Sequence, residues 1–337
     1  MTCERPSANR LFEIGSAYRQ AKVLLSAVEL RVFSVLATGP LNAADLADRI
    51  NVNKRAARDF FDALVAMGLL TRDAKGRYGN TEESDRYLDK AKPTYLGASF
   101  DQYNRREYGL WGSLTQALQT GSPAAETNGQ DHFESLYTDA ARFQTFVTAM
   151  TSGSMLAAQG IARQFPWKNY NTVCDVGTAQ GCLPVQVALA HPHVRAIGFD
   201  LAPVRSAFEA YAAKCSVADR LGFQSGDFFR DPLPAADVIV LGRVLHNWDL
   251  ETKTMLLTKA YRAIPSGGAV VVYDMLIDDD RRSSTTGLLS SLNMLLWTAG
   301  GFGYTGSDCI GWMHSVGFGE VTVEELPGGN SMIVGSK

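Results

Sequence analysis

From residue 171 onward, apolar runs of strand length alternate with segments of helix length, and this alternation restricts the possible folds more than any other feature. The strand-length runs are Thr172–Val176, Val194–Phe199, Gly222–Gln224, Val238–Leu241 and Ala269–Tyr273. The helix-length segments are Cys182–Ala190, Pro203–Lys214 and Leu250–Ile264. Such alternation predicts a parallel sheet with helices on both faces, here an α/β Rossmann-like domain over residues 166–337. Two further runs, Glu320–Leu326 and Ser331–Gly335, predict a terminal hairpin.

The first 95 residues follow a different pattern. Apolar positions at helical spacing cover residues 11–37 and end at Gly39-Pro40, and Asn42 and Asn53 begin two further helices. Residues 69–80 predict a short hairpin, which gives the element order of a winged helix-turn-helix. We therefore expect an N-terminal α-helical winged-helix-like domain over residues 1–95. Residues 96–165 are expected to be a mostly helical linker that supplies helices to an acceptor pocket.

Composition and the distribution of apolar residues argue against a disordered, secreted or membrane-spanning protein. The 337 residues suit about two domains, and 46% hydrophobic and 20% charged residues with a net charge of −3 are typical of a globular protein. No apolar run follows the charged N-terminus, and no window approaches the ~18 apolar residues of a membrane span. The five cysteines are scattered without a CxxC pair, so we expect a cytoplasmic protein with reduced thiols and no metal site.

A glycine-containing loop follows the first of these strands. Asp175-Val-Gly-Thr-Ala-Gln-Gly181 ends the strand and opens a helix, where free N–H groups face a ligand. Its GxxxG spacing departs from the GxGxxG of dinucleotide-binding proteins, so an oxidoreductase is a distant alternative. Asp200 ends the second strand and suits a ribose, and Asp227 with Phe228 offers an acceptor beside an aromatic wall. Together these elements describe a nucleoside that carries an amino acid.

Four motifs resemble one known family. DVGTAQG, GFDLAPV, SGDFF and RVLHNWD are similar to the motifs of class I S-adenosylmethionine-dependent O-methyltransferases related to the caffeic acid, acetylserotonin and bacterial small-molecule enzymes. The resemblance covers nearly the whole chain and implies S-adenosylmethionine as cofactor and a homodimer formed through the N-terminal domain. The cofactor-binding residues predicted from the motifs and the resemblance are Ser154, Asp175, Gly177, Gly181, Asp200, Leu201, Asp227, Phe228, Gly242 and Arg243. Two departures from the family are Ala179 in the loop and Gly242 where a lysine is frequent.

His246 is the candidate catalytic base. It lies just after the fourth strand, where open α/β sheets place their ligand crevice. A phenol with a pKa near 10 is mostly protonated at neutral pH, and a neutral imidazole can accept its proton. Asp274 ends the fifth strand and is expected to orient the histidine, at a position where the family has glutamate. The family's second acid falls on Gly303, so orientation rests on Asp274 alone or on a residue that the sequence does not identify.

The acceptor pocket is predicted on the central helices and the helix before Gly300. Its candidate residues are Phe146, Met150, Trp248, Met294 and Trp297. Aromatic and methionine residues at helical spacing are as often plain core as pocket. Taken together they favour a small, flat, aromatic acceptor whose hydroxyl is methylated.

Two other functions compete with O-methylation. A winged helix can bind DNA, but residues 1–90 hold 14 basic against 12 acidic side chains, far less basic than usual for nucleic-acid-binding domains. Carbon or nitrogen methylation, or a non-methylating reaction with the same cofactor, would leave the same motifs. A gel shift with and without cofactor tests the first alternative, and titration calorimetry against S-adenosylmethionine and NADH identifies the cofactor.

Overall fold

The computed structural model describes residues 8–125 and 140–337. Its contacts divide the chain into two compact units, one up to Tyr108 and the other from Gly109 onward. Each unit is considered by itself below. No helix within the described ranges is long and apolar enough to cross a membrane.

The first unit consists of helices and one hairpin. Its elements are α1 (Asn9–Glu29), α2 (Val32–Leu36), α3 (Ala43–Arg49), α4 (Lys54–Ala66), β1 (Leu70–Arg72), β2 (Tyr78–Asn80), α5 (Glu82–Leu88) and α6 (Gly97–Gln102), followed by a π-helical turn at Tyr103–Glu107. The predicted caps are confirmed, because Asn42 accepts from Asp45 N and Asn53 accepts from Arg55 N. The hairpin is confirmed as well, with β1 and β2 antiparallel.

The single helix predicted over residues 11–37 is wrong in one respect. The chain breaks between α1 and α2, where Arg31 adopts a left-handed conformation (φ 59°). The break redirects the chain so that Val32 and Phe33 are fully buried in the core of the unit. This burial offsets the cost of a left-handed conformation at a residue with a side chain.

The second unit contains the sheet and the helices around it. Its helices are α7 (Leu114–Thr120), α8 (Ala140–Gln164), α9 (Cys182–Ala190), α10 (Arg205–Lys214), α11 (Leu250–Ala263), α12 (Thr285–Trp297) and α13 (Gly306–Val316). Its strands are β3 (Thr172–Val176), β4 (Arg195–Asp200), β5 (Leu221–Ser225), β6 (Val238–Gly242), β7 (Ala269–Asp274), β8 (Glu320–Leu326) and β9 (Asn330–Ser336). Short helical turns occur at Tyr108–Leu110, Trp111–Ser113, Trp167–Asn169, Ala202–Val204 and Leu245–Asn247.

The seven strands form one sheet in the order β5-β4-β3-β6-β7-β9-β8. Strands β3 to β7 are parallel, as predicted. The terminal hairpin β8–β9 is also confirmed, and it extends the sheet with antiparallel pairing to β7. Alternate residues of β3, β6 and β7 enter two separate apolar clusters, so both faces of the sheet are covered.

The strand order reverses at β3, and this reversal determines where a ligand-binding crevice can form. Strands β4 and β5 lie on one side of β3, and β6 and β7 lie on the other. Connections leave in opposite directions at such a point, which opens a crevice beyond the carboxyl ends of the strands. The predicted site residues Asp175, Asp200, Gly242 and Asp274 all lie at or next to these ends.

Candidate active site

The glycine loop joins β3 to α9 through three left-handed residues. Gly177, Ala179 and Gly181 have φ of 70°, 49° and 82°. Gly181 also requires the absence of a side chain, since a Cβ would lie 2.5 Å from the ring of Phe208. Ala179 is tolerated in the loop, and its backbone N–H donates to Asp200 Oδ2 at 2.9 Å. The loop is therefore fixed to the end of β4.

Asp175 and Asp200 place two carboxyl groups beside this loop. Asp175 accepts from Thr178 Oγ1 at 2.8 Å, and Asp200 accepts from Leu201 N at 2.8 Å as well as from Ala179 N. Burial raises the pKa of Asp175 to about 7, and the nearby charge of Asp200 adds to the rise. Burial likewise raises the pKa of Asp200 to about 6, against its two backbone hydrogen bonds. The site is thus short of positive charge, which favours a cationic ligand.

Asp227 and Phe228, predicted as an acceptor beside an aromatic wall, border an aromatic cluster. The ring of Phe228 lies 5.9 Å from that of Trp248, and Phe229 lies 4.8 Å from the same indole, both edge-on. The carboxylate of Asp227 accepts from Phe229 N at 2.9 Å and is 3.4 Å from Arg230 Nε. The structure therefore brings Phe228 together with Trp248, which was predicted separately as an acceptor residue.

The end of β6 is shaped by Tyr273. A Cβ on Gly242 would lie 2.1 Å from the Tyr273 ring, so no larger residue fits at this position without a shift. This contact accounts for glycine where the family frequently has lysine. The buried hydroxyl of Tyr273 hydrogen-bonds Ser154, and burial raises its pKa. Arg243 follows in a left-handed conformation (φ 54°) and donates its backbone N–H to Tyr273 O at 2.8 Å.

His246 and Asp274 form a buried pair. His246 Nδ1 lies 2.6 Å from Asp274 Oδ1, and the two side chains are 9% and 3% exposed. Oδ1 also accepts from Met275 N at 3.0 Å, and Oδ2 accepts from the Tyr304 hydroxyl at 3.2 Å. Burial acts to raise the pKa of Asp274, but its electrostatic interaction and hydrogen bond with His246, the Arg243 guanidinium and the Met275 N–H outweigh burial and lower the pKa. An ionised carboxylate therefore fixes one ring nitrogen of the histidine.

Family models cover both units of the chain. An O-methyltransferase domain matches residues 111–318, and an O-methyltransferase dimerisation domain matches residues 12–90. The chain belongs to the O-methyltransferase family. The resemblance to S-adenosylmethionine-dependent O-methyltransferases noted in the sequence is confirmed.

Individual relatives of this O-methyltransferase are named as oxygen or nitrogen methyltransferases. The tetracenomycin polyketide synthesis 8-O-methyl transferase TcmO of Streptomyces glaucescens is 37% identical over 97% of this chain and 96% of that protein. The N,N-dimethyltransferase OxyT of Streptomyces rimosus is 38% identical over 80% of this chain and 79% of that protein. The crystal structure of human N-acetylserotonin methyltransferase with S-adenosylmethionine matches with a TM-score of 0.89 and 29% identity, covering 100% of this chain and 99% of that one.

Tyr304 is a residue of the candidate site that sequence reasoning missed. The family's second acid falls on Gly303, where a Cβ would lie 2.9 Å from Ser291 Cβ. The next residue, Tyr304, instead hydrogen-bonds the far oxygen of Asp274. Burial raises the pKa of Tyr304 well above its usual value, so the phenol stays neutral and can donate. Only its position beside Gly303 hinted at this role.

The predicted acceptor residues lie on three segments. Phe146 and Met150 are partly buried on α8, Met294 and Trp297 are buried and partly buried on α12, and Trp248 follows the His246 turn. Trp248 packs edge-on against Phe228, which is predicted to bind the cofactor. Their role in acceptor binding remains a prediction.

Proposed function

We propose that this O-methyltransferase moves the methyl group of S-adenosylmethionine to the hydroxyl of a small aromatic acceptor, with His246 as the general base. The observation that carries the proposal is the buried contact of 2.6 Å between His246 Nδ1 and Asp274 Oδ1 at the carboxyl end of the sheet. The same edge carries the glycine loop and the two acids that suit the cofactor.

The residues of the loop fit S-adenosylmethionine. Its sulfonium and ammonium outweigh its carboxylate, so it brings net positive charge to a site in which the pKa values of Asp175 and Asp200 are raised. Each oxygen of Asp200 holds one backbone N–H and keeps a lone pair for a ribose hydroxyl. Gly177, Gly181 and Leu201 border the ribose position. We assign Asp227 and Phe228 to the adenine. The remaining side of the cofactor is assigned to Ser154, Gly242 and Arg243. When bound, the cofactor supplies an electrophilic methyl group.

The His246–Asp274 pair determines which atom takes the proton of the acceptor hydroxyl. Because Nδ1–H donates to the carboxylate, the neutral imidazole presents its lone pair at Nε2. Nε2 accepts the hydroxyl proton as the oxygen attacks, and the ionised Asp274 stabilises the imidazolium that forms. Tyr304 holds the second carboxylate oxygen, so Asp274 keeps its orientation through the step.

The acceptor is assigned by pocket chemistry and by relatives. Phe146, Met150, Trp248, Met294 and Trp297 would form an apolar site for a flat ring system. One relative acts in tetracenomycin polyketide synthesis, and another is named a 3-hydroxy-5-methyl-1-naphthoate 3-O-methyltransferase. We therefore assign a fused aromatic hydroxyl compound as acceptor. Residues 1–95 would form the homodimer, residues 96–165 would connect it to the catalytic domain 166–337, and the enzyme would act in the cytoplasm.

Methylation of nitrogen is the second candidate function. It is favoured by the 38% identity to an N,N-dimethyltransferase. An aromatic amine is neutral at pH 7 and attacks without a base, so it would depend less on His246.

The test uses two matched acceptors. The protein and S-adenosylmethionine are incubated separately with 1-naphthol and 1-naphthylamine, and mass spectrometry detects the added methyl group. Titration calorimetry with S-adenosylmethionine and with NADH accompanies it. The proposal predicts binding of the first cofactor and a methylated naphthol. Binding of NADH alone, or methylation of the amine alone, would contradict it.

A further inference from the structure

A fully buried lysine lies behind the candidate catalytic pair. Lys253 belongs to the first turn of α11 and is 0% exposed. Its ammonium is surrounded by an aromatic cage of Phe302, Tyr304 and Trp312, with ring centroids 3.1, 5.7 and 5.7 Å from Nζ. Burying an ammonium costs free energy unless it is well paired, so its presence here requires an explanation.

The hydrogen bonds of Lys253 join two loops that carry the site. Nζ donates to Trp248 O at 2.6 Å and to Phe302 O at 3.3 Å. Trp248 ends the turn that holds His246, and Phe302 lies two residues before Tyr304. One side chain therefore connects the segment of the base to the segment that holds Asp274 through Tyr304. The two segments touch elsewhere as well, because a Cβ on Gly301 would lie 2.6 Å from His246 O.

The charge of Lys253 interacts with the carboxylate of Asp274. Burial lowers its pKa to about 8, and among its surroundings Asp274 raises the pKa most, followed by Asp249, Cys309 and Asp308. Asp274 itself faces His246, Arg243 and Tyr304. A lone carboxylate beside an imidazole favours the protonated imidazolium, which cannot serve as a base. A second cation near Asp274 opposes this effect.

We propose that Lys253 is a positioning residue for methyl transfer: it fixes the His246 and Tyr304 segments to each other through two backbone carbonyls, and its cation keeps the imidazole of His246 neutral. The inference deepens the proposed function, because it matters for the reaction only where His246 is the base.

Nuclear magnetic resonance tests the charge effect without an acceptor. The whole protein is labelled at the histidine ring carbons, saturated with S-adenosylhomocysteine and titrated with acid and base, and the His246 signal is assigned by its loss in His246→Ala. We compare wild type with Lys253→Gln, which keeps a donor for the carbonyls but loses the charge. The titration midpoint of His246 is expected to rise by about 0.5–1.5 pH units in Lys253→Gln. Lys253→Met, which loses both donor and charge, should give the same shift where it folds.

Two variants serve as matched controls. Lys253→Arg keeps the cation, so the midpoint should stay at the wild-type value. Lys259→Met removes another lysine of α11, whose Nζ donates to Phe228 O at 2.7 Å and Asp231 O at 2.9 Å. Lys259 joins a different loop and is expected to leave the midpoint unchanged.

The outcomes separate this inference from the proposed function. An unmoved or absent His246 titration in Lys253→Gln, or an equal shift in Lys253→Arg, would overturn the role of the Lys253 charge. With 1-naphthol as acceptor, Lys253→Gln should lower kcat at pH 7 several-fold and by no more than about 30-fold, because a midpoint higher by about 0.5–1.5 pH units leaves less of the imidazole neutral, with KM nearly unchanged. A rate that is normal in His246→Ala overturns the base itself and leaves the measured shift standing.

Discussion

Asp200 is the residue that we propose binds the ribose of the cofactor. Its two oxygens hold the backbone N–H groups of Ala179 and Leu201. Under the proposed function, alanine at this position would remove a pair of charge-assisted hydrogen bonds to the ribose, so Asp200→Ala should weaken S-adenosylmethionine and S-adenosylhomocysteine alike by about 1.5–3 kcal/mol. Titration calorimetry measures both affinities. Unchanged affinity for the two ligands would contradict the assignment of Asp200.

The raised pKa of Asp175 predicts a pH-dependent stability. Its carboxyl has a pKa of about 7 in the fold, above the value of about 4 in an unfolded chain. The neutral form is therefore favoured by folding, and its stabilisation is lost as the pH rises through 7. Without ligand, Asp175→Asn should be more stable than wild type at pH 8 by about 1–3 kcal/mol, and this gain should shrink toward pH 4.

Thermal unfolding of the ligand-free protein at pH 5, 6, 7 and 8 measures this effect. The same variant should bind S-adenosylmethionine more weakly, because it lacks the negative charge. A variant that is equally stabilised at every pH, or destabilised at pH 8, would contradict the account of Asp175.

The sequence predicted some residues of the candidate site and missed others for a physical reason. His246 and Asp274 were predicted because His246 follows β6 and Asp274 ends β7, and the ends of parallel strands meet at one edge. Tyr304, Tyr273 and Lys253 were missed because their roles depend on contacts between distant segments. Lys253 and Phe302, for example, are 49 residues apart. Local pattern carries no information about such pairs.

At the scale of elements, the close packing of β6 on β7 decides what position 242 tolerates. A Cβ on Gly242 would lie 2.1 Å from the Tyr273 ring, whereas a Cβ on Gly222 in β5 meets nothing within 4 Å. Gly242→Ala should therefore lose about 1–3 kcal/mol of stability through overpacking, and Gly222→Ala should be neutral or slightly stabilising. Urea unfolding of the two variants gives the comparison. Equal midpoints would show that Tyr273 moves freely.

The elements themselves differed in how far the sequence specified them. The five parallel strands were predicted to within two residues because their apolar runs are bounded by polar and turn residues. The break at Arg31 was not predicted, since apolar spacing continues through it and only burial of Phe33 reveals the change of direction. The attachment of β9 to β7 was also outside the reach of local pattern, because it pairs residues about 60 positions apart.

At the scale of the whole molecule, α1 exposes an apolar surface. Leu11, Phe12 and Ile14 are 73%, 74% and 64% exposed, and residues 12–90 match a dimerisation domain. Burial of this surface in a homodimer would remove it from water. Light scattering should give twice the 36.6 kDa of one chain, and the double variant Phe12→Ser, Ile14→Ser should shift the protein toward monomer.

Val323→Ser is the matched control for the dimer. It removes an exposed apolar residue of β8, outside the dimerisation domain, and should leave the mass unchanged. A wild-type monomer at micromolar concentration would refute the homodimer, and a dimer in both variants would place its interface elsewhere.

The most direct test of the account is the single-turnover rate of methyl transfer to a phenolic acceptor in His246→Ala, measured beside its affinity for S-adenosylmethionine. We predict unchanged cofactor affinity and a rate that is lower by about 10²–10⁴-fold, the usual contribution of a general base, with a smaller loss in Asp274→Asn. A His246→Ala enzyme that methylates the phenol at nearly the wild-type rate would contradict the role of His246. Orientation alone would then drive the transfer.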